Sequence, residues 1–312
     1  MKHFLTSLSI LQTFRVMLFS VLLSGSFMAC RKIDGFFSEN KEPSFYSSDV
    51  IDKWLTLQIR LFKDATGITN SGFGRPFAYA GISAYEALDP GSLSWKKKYN
   101  GLSDLPNTES NKSYYWPASV NAALASFNRS FFTSVNSNAT DLAAIDSLEN
   151  ALNNSFAGEN PEIVNRSISF GKSIASAIFA WSLTDGYNEN NVLPYTPPVG
   201  PGLWVPTPPA FAKPIGPFWG NDRTIIEGSG DNAQPGAPFV YSEDPNSPFY
   251  KMVNDLYVAS KNLTSDQKAW ALFWKDTSPG VTTPGHWLSI IKQVFIQTDS
   301  RLDKAALTYA LV

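Results

Sequence analysis

The sequence predicts an all-α protein: a bundle of helices interrupted by one long loop rich in proline and aromatic residues. Three observations carry this. Apolar residues recur at the three-four spacing of a helix face through most of 49–181 and again through 264–311. Nearly every such run opens on a helix-start signal, a small polar cap or a first-turn proline. Between them, from Asp185-Gly186 to Asn262, prolines crowd too densely for helix or central strand. The chain has 312 residues and a formal net charge of -2, enough for one sizeable domain and with no electrostatic reason to bind nucleic acid. Charged residues make up 17%, below the usual quarter, and aromatics 14%, which favours a packed body over disorder.

Asp49 is expected to cap the first helix, with Val50, Ile51, Trp54, Leu55, Gln58, Leu61 and Phe62 on one face and Gly67 as its stop. Arg75-Pro76 opens the second, in which Ala78, Ala80, Gly81, Ala84 and Ala87 would let another helix approach closely; Asp89-Pro90-Gly91 ends it. Pro117 starts a third, with Val120, Ala123, Leu124, Phe127 and Phe131 on one side. Thr140-Asp141 is expected to cap the fourth, whose stripe is Leu142, Ile145, Leu148, Leu152 and Phe156, closed by Gly158. Asn160-Pro161-Glu162 restarts helix with a cap, a first-turn proline and an acid at the positive end of the dipole. This fifth helix, to about Trp181, is apolar around much of its circumference and is expected to be a central, buried one.

The next segment, the long loop, carries Tyr195, Trp204, Phe211, Phe218 and Trp219 among its prolines, so it reads as an ordered wrap burying its aromatics against the helices. Short helical turns are expected near Phe249–Ser260. Thr264 and Gln267 form a capping box opening a helix with Trp270, Phe273 and Trp274. A further helix is expected from Gly285, with an apolar stripe of Trp287, Ile290, Ile291, Val294 and Phe295, and with His286, Ser289 and Gln293 off that stripe. Asp299-Ser300 is expected to cap the last helix. It is still periodic at Leu307, Ala310 and Leu311 where the sequence stops, with no glycine cap or polar tail, the pattern of a helix cut short.

Residues 1–29 stand apart. Lys2, His3 and Arg15 form a positive leader, and Val16–Leu23 is an apolar run too short to span a bilayer. Small residues follow, and Phe27-Met28-Ala29-Cys30 resembles a bacterial lipobox, with Phe27 where an aliphatic residue is usual. That resemblance makes Cys30 the lipidated first residue of the mature chain, 30–48 a polar tether, and the cell envelope the location, the protein being held to a membrane by its lipid. Cys30 is the only cysteine, so an internal disulfide framework and a cysteine zinc cluster are both excluded.

Other motifs narrow the chemistry by failing. Gly171-Lys172-Ser173 matches the tail of a phosphate-binding loop, but Arg166 stands where the upstream glycine is required and the run lies inside a helix. Gly81-Ile-Ser83-Ala-Tyr85 lacks the second glycine of a nucleophile elbow. After residue 29 the one histidine is His286, which cannot supply the ligand set of a catalytic zinc.

RPFAYAGISAYEA (75–87), YYWPASVNAALASF (114–127), the DGY and GPGLWVPTPP segments (185–209), DPNSPFY (244–250), and FWKD followed by PGHW together resemble the bacterial vanadium-dependent haloperoxidases, whose helical fold is shared with type 2 phosphatidic acid phosphatases. The resemblance covers nearly the whole of 49–312 and implies the N-terminal half of a haloperoxidase-like domain. It implies vanadate as cofactor of the full-length form, with hydrogen peroxide and halide as its substrates. An acid phosphatase acting on a phosphate ester is the alternative, because vanadate and phosphate share charge and geometry. A lipid-anchored, non-enzymatic binding protein is the third reading. The lysine, arginines, Ser-Gly-His run and final histidine of that family's oxyanion site correspond to positions beyond Val312. The resemblance therefore assigns no catalytic, cofactor or metal residue to this chain and expects none to bind the cofactor alone. It leaves Asp276 as an outer-shell partner of a pocket arginine, and His286 with the Trp204 loop as lining of the entrance.

Overall fold

The computed structural model describes residues 41–68, 70–91, 99–275 and 281–312. These form ten α-helices and no strand; pairing is limited to two isolated bridges, Ser47 with Arg301 and Tyr99 with Ile226. In chain order the helices are α1 (Asp49–Asp64), α2 (Gly74–Glu86), α3 (Trp116–Phe131), α4 (Ala139–Ser155), α5 (Pro161–Ser182), the single turn α6 (Tyr187–Asn190), α7 (Pro248–Lys261), α8 (Ser265–Phe273), α9 (Thr283–Gln297) and α10 (Leu302–Leu311). The all-α class predicted from spacing is the one observed.

The predicted face of α1 is buried in full, including Gln58. Gln58 is accommodated because its amide donates to Asn128 Oδ1 at 2.9 Å and its carbonyl accepts from the Tyr309 hydroxyl. Trp54 donates to Asn121 Oδ1 at 2.8 Å, so α1 is keyed to α3 by polar contacts as well as by packing. The caps differ from expectation by a residue or two. Ser48 rather than Asp49 precedes α1, Asn138 rather than Thr140 caps α4, and Arg301 follows the expected Asp299-Ser300 before α10. Asn138 wins because its carbonyl reaches Asp141 N at 2.9 Å. Asn160 caps α5 as predicted, accepting from Glu162 N and Ile163 N.

The most fully buried helix is α3; α5, expected to be buried around much of its circumference, is buried along one side. Twelve of the sixteen residues of α3 are buried, from Trp116 to Asn128, whereas α5 buries chiefly Phe170, Gly171, Ile174, Ala175, Ile178 and Trp181. Small side chains decide this. Ala118, Ser119, Ala122, Ala123 and Ala125 let neighbours close in on α3 from several directions, and α5 is the closest of them. At the contact, a Cβ on Gly171 would lie 2.0 Å from the Ser119 carbonyl oxygen. The predicted close approach on α2 is also real: a Cβ on Gly81 would lie 2.5 Å from the Tyr309 carbonyl of α10.

Residues 41–48 of the expected tether are pinned to the body. Trp116 Nε1 donates to the Lys41 carbonyl, Leu302 N to that of Tyr46 and Ser48 N to that of Ser300, and Pro43 is buried.

The segment from Val192 to Trp274 departs most from expectation. The predicted turns near 249–260 are a full helix, α7, with Ser247 capping Tyr250 N. The capping box at Thr264 and Gln267 forms as predicted. Neither α7 nor α8 buries a residue, however, and neither packs closely on another element. The loop does not wrap its aromatics inward: Tyr195, Trp204, Phe211 and Trp219 are all exposed. The faces that would have received them are already occupied, since α1, α2, α3, α5 and α10 cover one another. Prolines keep the intervening chain out of longer helix, and it runs as a series of turns with one 3-10 turn at Trp219–Asn221. Among the described residues no helix is long and apolar enough to cross a membrane.

Candidate functional site

His286 lies in the first turn of α9. The helix begins at Thr283, two residues before the expected start at Gly285, and Thr282 caps it: its side chain accepts from Gly285 N, and His286 N donates to the Thr282 carbonyl at 3.2 Å. The rotation of α9 is also other than predicted. His286 is only 6% exposed and shares the buried face with Leu288, Ile291 and Phe295, while Trp287 is 59% exposed and Ile290 and Val294 also face out. The helix carries more apolar residues than one face can hold, and α1 is its main neighbour in the bundle. The imidazole sits 5.0 Å from the Phe273 ring and 4.6 Å from the indole of Trp274. It is tilted against both, at 56° to Phe273 and 33° to Trp274. His286 thus joins the end of α8 to the start of α9. Asp276 lies outside the described residues, as does Cys30.

A second polar constellation, missed in the sequence, sits where the long loop leaves the bundle. Arg75, at the start of α2, forks onto Asp185 just past α5, with Nε to Oδ2 at 2.7 Å and Nη2 to Oδ1 at 2.8 Å. The Tyr79 hydroxyl donates to Asp185 Oδ2 at 3.0 Å and Tyr187 N donates to Oδ1 at 3.0 Å. Gly186, at φ +90°, makes the turn that aims the Tyr187 amide back at the carboxylate, a conformation side chains beyond glycine rarely hold. The Tyr187 ring then lies 4.1 Å from the Arg75 guanidinium. The far end of the loop returns to the same place. Arg223 donates to the carbonyls of Asn100 and Trp181 at 2.6 and 3.0 Å, stacks 4.6 Å over Trp181, and its backbone N donates to the Asp185 carbonyl. Burial, and then the Asp185 charge, push the Tyr79 hydroxyl well above its ordinary pKa, so it stays a donor. Nothing local announces a partnership across 110 residues. The available signal was the low charge density, which makes an arginine and an aspartate inside apolar segments worth pairing.

Among the described residues no group of three or more His, Cys, Asp or Glu is placed to hold a metal ion. An open groove of about 1000 Å³ between α1 and α4 shares no residue with His286 or with the Arg75 clamp. Leu57, Ala143, Ala144 and Leu148 line it, and its Arg60 is already paired with Asp141 at 3.2 Å.

No protein-family model matches the chain, and no curated protein matches it. Among solved structures, that of the first bacterial vanadium-dependent iodoperoxidase is similar, with a TM-score of 0.72 and 24% sequence identity over 85% of this chain. The match takes in 64% of that protein, so the chain spans less than two thirds of its length. The helical bundle of this chain therefore has a vanadium haloperoxidase-like fold.

Proposed function

We propose that this chain is the scaffold part of a vanadium haloperoxidase-like enzyme, whose reaction in a longer form is peroxide-dependent oxidation of halide. The observation that carries the reading is the fold likeness over 85% of the chain. The described residues do not fit vanadate by themselves. A multiply charged oxyanion needs several cations and amide donors converging on it. Arg75 is committed to Asp185, Arg129 to Asp146 and Glu149, Arg60 to Asp141, and Arg223 to two carbonyls, while Arg166 is a single arginine whose pocket also holds the Glu109 carboxylate. His286 is walled in by two aromatic rings. No chemical step is therefore assigned to these residues.

What supports a longer active form is the surface of α7, α8 and α9. Leu256, Trp270, Phe273, Trp287 and Val294 are all exposed on these helices, and exposed large apolar side chains that gather into a patch mark an interaction surface. Helices supplying the missing cations would cover it. On this reading Asp276 and His286 support the pocket from outside, and Cys30 carries a lipid that holds the protein at the cell envelope. An acid phosphatase on the same scaffold is the second reading, since phosphate and vanadate make the same demands.

The test compares residues 30–312 with a polypeptide extended to the length of the similar structure. Both are titrated with vanadate and assayed for triiodide formation from iodide and peroxide, and for p-nitrophenyl phosphate hydrolysis. The extended form is expected to oxidise iodide and the shorter one to bind no vanadate at micromolar levels. Tight vanadate binding by 30–312, or an extended form with phosphatase activity alone, would overturn the assignment. Intact-mass spectra showing Cys30 unmodified in a Gram-negative host would remove the anchor.

A further inference from the structure

The arginine that the sequence places in the broken phosphate-loop motif has a different role in the fold. Arg166 and Ser173 lie two helical turns apart on α5 with Ser169 between them, and all three line one cavity of about 400 Å³. The loop residues Asn107 and Glu109 and the Tyr114 ring complete it. The volume is in the range of small-molecule sites. The cavity shares no residue with the Arg75 clamp or with His286, and its reading is independent of the haloperoxidase assignment.

The walls are fixed. Tyr114 stacks on Trp116 at 5.5 Å and meets Phe170 edge-on at 5.6 Å. Its hydroxyl accepts from Glu109 N at 2.9 Å, which ties the loop to the ring, and Tyr115 N donates to Ser167 on α5 at 2.8 Å. The Arg166 guanidinium lies 5.6 Å over the Tyr114 ring. Its Nε is buried and has no hydrogen-bond partner among the described residues. The part-buried guanidinium keeps its charge, and with no acceptor for Nε among the described residues a water or a bound ligand must supply one.

The remaining polar groups define that acceptor's other end. The hydroxyls of Ser169 and Ser173 donate to the carbonyls of Asn165 and Phe170, which leaves their oxygens as acceptors. Glu109 adds a carboxylate. The cavity thus presents a cation and an amide to an oxyanion, and a carboxylate with two hydroxyl oxygens to a donor. Its own charges cancel, so electrostatic complementarity favours a neutral molecule carrying both signs. We propose that this cavity binds a small zwitterion of the α-amino-acid class, its carboxylate on Arg166 and its ammonium on Glu109 and the serine oxygens.

Calorimetric titration of the full chain with L-leucine and L-glutamine tests this, with N-acetyl-L-leucine and L-leucine amide as probes of each end. Saturable binding of at least one free amino acid is expected, weakened about tenfold or more by blocking either end. Arg166→Met is expected to weaken L-leucine by a similar factor, with its circular dichroism and melt confirming the fold. Glu109→Gln, at an exposed position, is expected to weaken L-leucine and leave N-acetyl-L-leucine unchanged. No saturable binding of either amino acid at tens of millimolar overturns the proposal. So does an Arg166→Met variant that binds as wild type does, or N-acetyl-L-leucine binding as tightly as L-leucine, which would mark an oxyanion site only.

Discussion

Replacing Asp185 by alanine removes one carboxylate and four hydrogen bonds at once: two from Arg75, one from the Tyr79 hydroxyl and one from Tyr187 N. The Arg75 side chain is only 15% exposed and that of Asp185 only 5%. After the change the guanidinium keeps the Ser182 carbonyl and the Tyr187 ring, neither of which neutralises it. Leaving such a charge unpaired costs about 3–5 kcal/mol. At about 2–4 °C per kcal/mol for a domain of this size, the melting temperature should fall by about 6–20 °C. Urea unfolding followed by tryptophan fluorescence is a suitable assay, because the Trp181 ring lies 5.1 Å from Tyr79. Arg75→Lys keeps the charge and loses the fork, and should cost about 1–3 kcal/mol. The combined Arg75→Met, Asp185→Leu variant should be more stable than Asp185→Ala alone, because no charge is left buried without a partner. If Asp185→Ala lies within about 1 kcal/mol of wild type, or the double variant is worse than the single, the clamp does not hold the loop to the bundle.

Three further outcomes come from the packing. Gly171→Ala and Gly81→Ala should each destabilise by about 1–3 kcal/mol despite alanine's better helix propensity, because each new Cβ meets a neighbouring backbone carbonyl; Gly158→Ala, with nothing within 4 Å, should stay within about 0.5 kcal/mol, and equal effects at the three sites would contradict the described contacts. Burial raises the hydroxyl pKa values of Tyr46, Tyr79, Tyr99, Tyr115 and Tyr309, that of Tyr115 to about 12. A folded-state value above the unfolded one means their contribution is fully present below pH about 10 and is lost as pH rises through the folded values, so melting temperature should hold to about pH 10 and then drop; a flat profile to pH 12 would refute it. The chain should bind a hydrophobic dye through its α7–α9 surface, and Trp287→Gln with Val294→Lys, both at exposed positions, should cut that binding with little change in melting temperature; undiminished dye binding would place the apolar surface elsewhere.

Local chemistry decided a good deal of this protein before any tertiary contact. The face of α1, the Asn160 cap, the capping box at Thr264, the close approach at Gly81 and the all-α class are legible because each depends on residues within one or two turns, or on the mere absence of a Cβ. That α3 is more fully buried than α5 was not legible in that way. Apolar content marks a helix as buried, but only the mutual approach of small residues on several partners decides which helix is surrounded. The same limit hid the rotation of α9: its sequence offers two apolar faces, and only packing into the bundle decided that the one bearing His286 is buried. The loop aromatics read as core in the sequence because apolar surface ordinarily finds a place to go, yet the bundle had already closed over its own faces. Arg75 and Asp185 were invisible for the plainest reason. An ion pair between residues 110 positions apart leaves no trace in either neighbourhood, and it exists only because α2 and the end of α5 pack side by side.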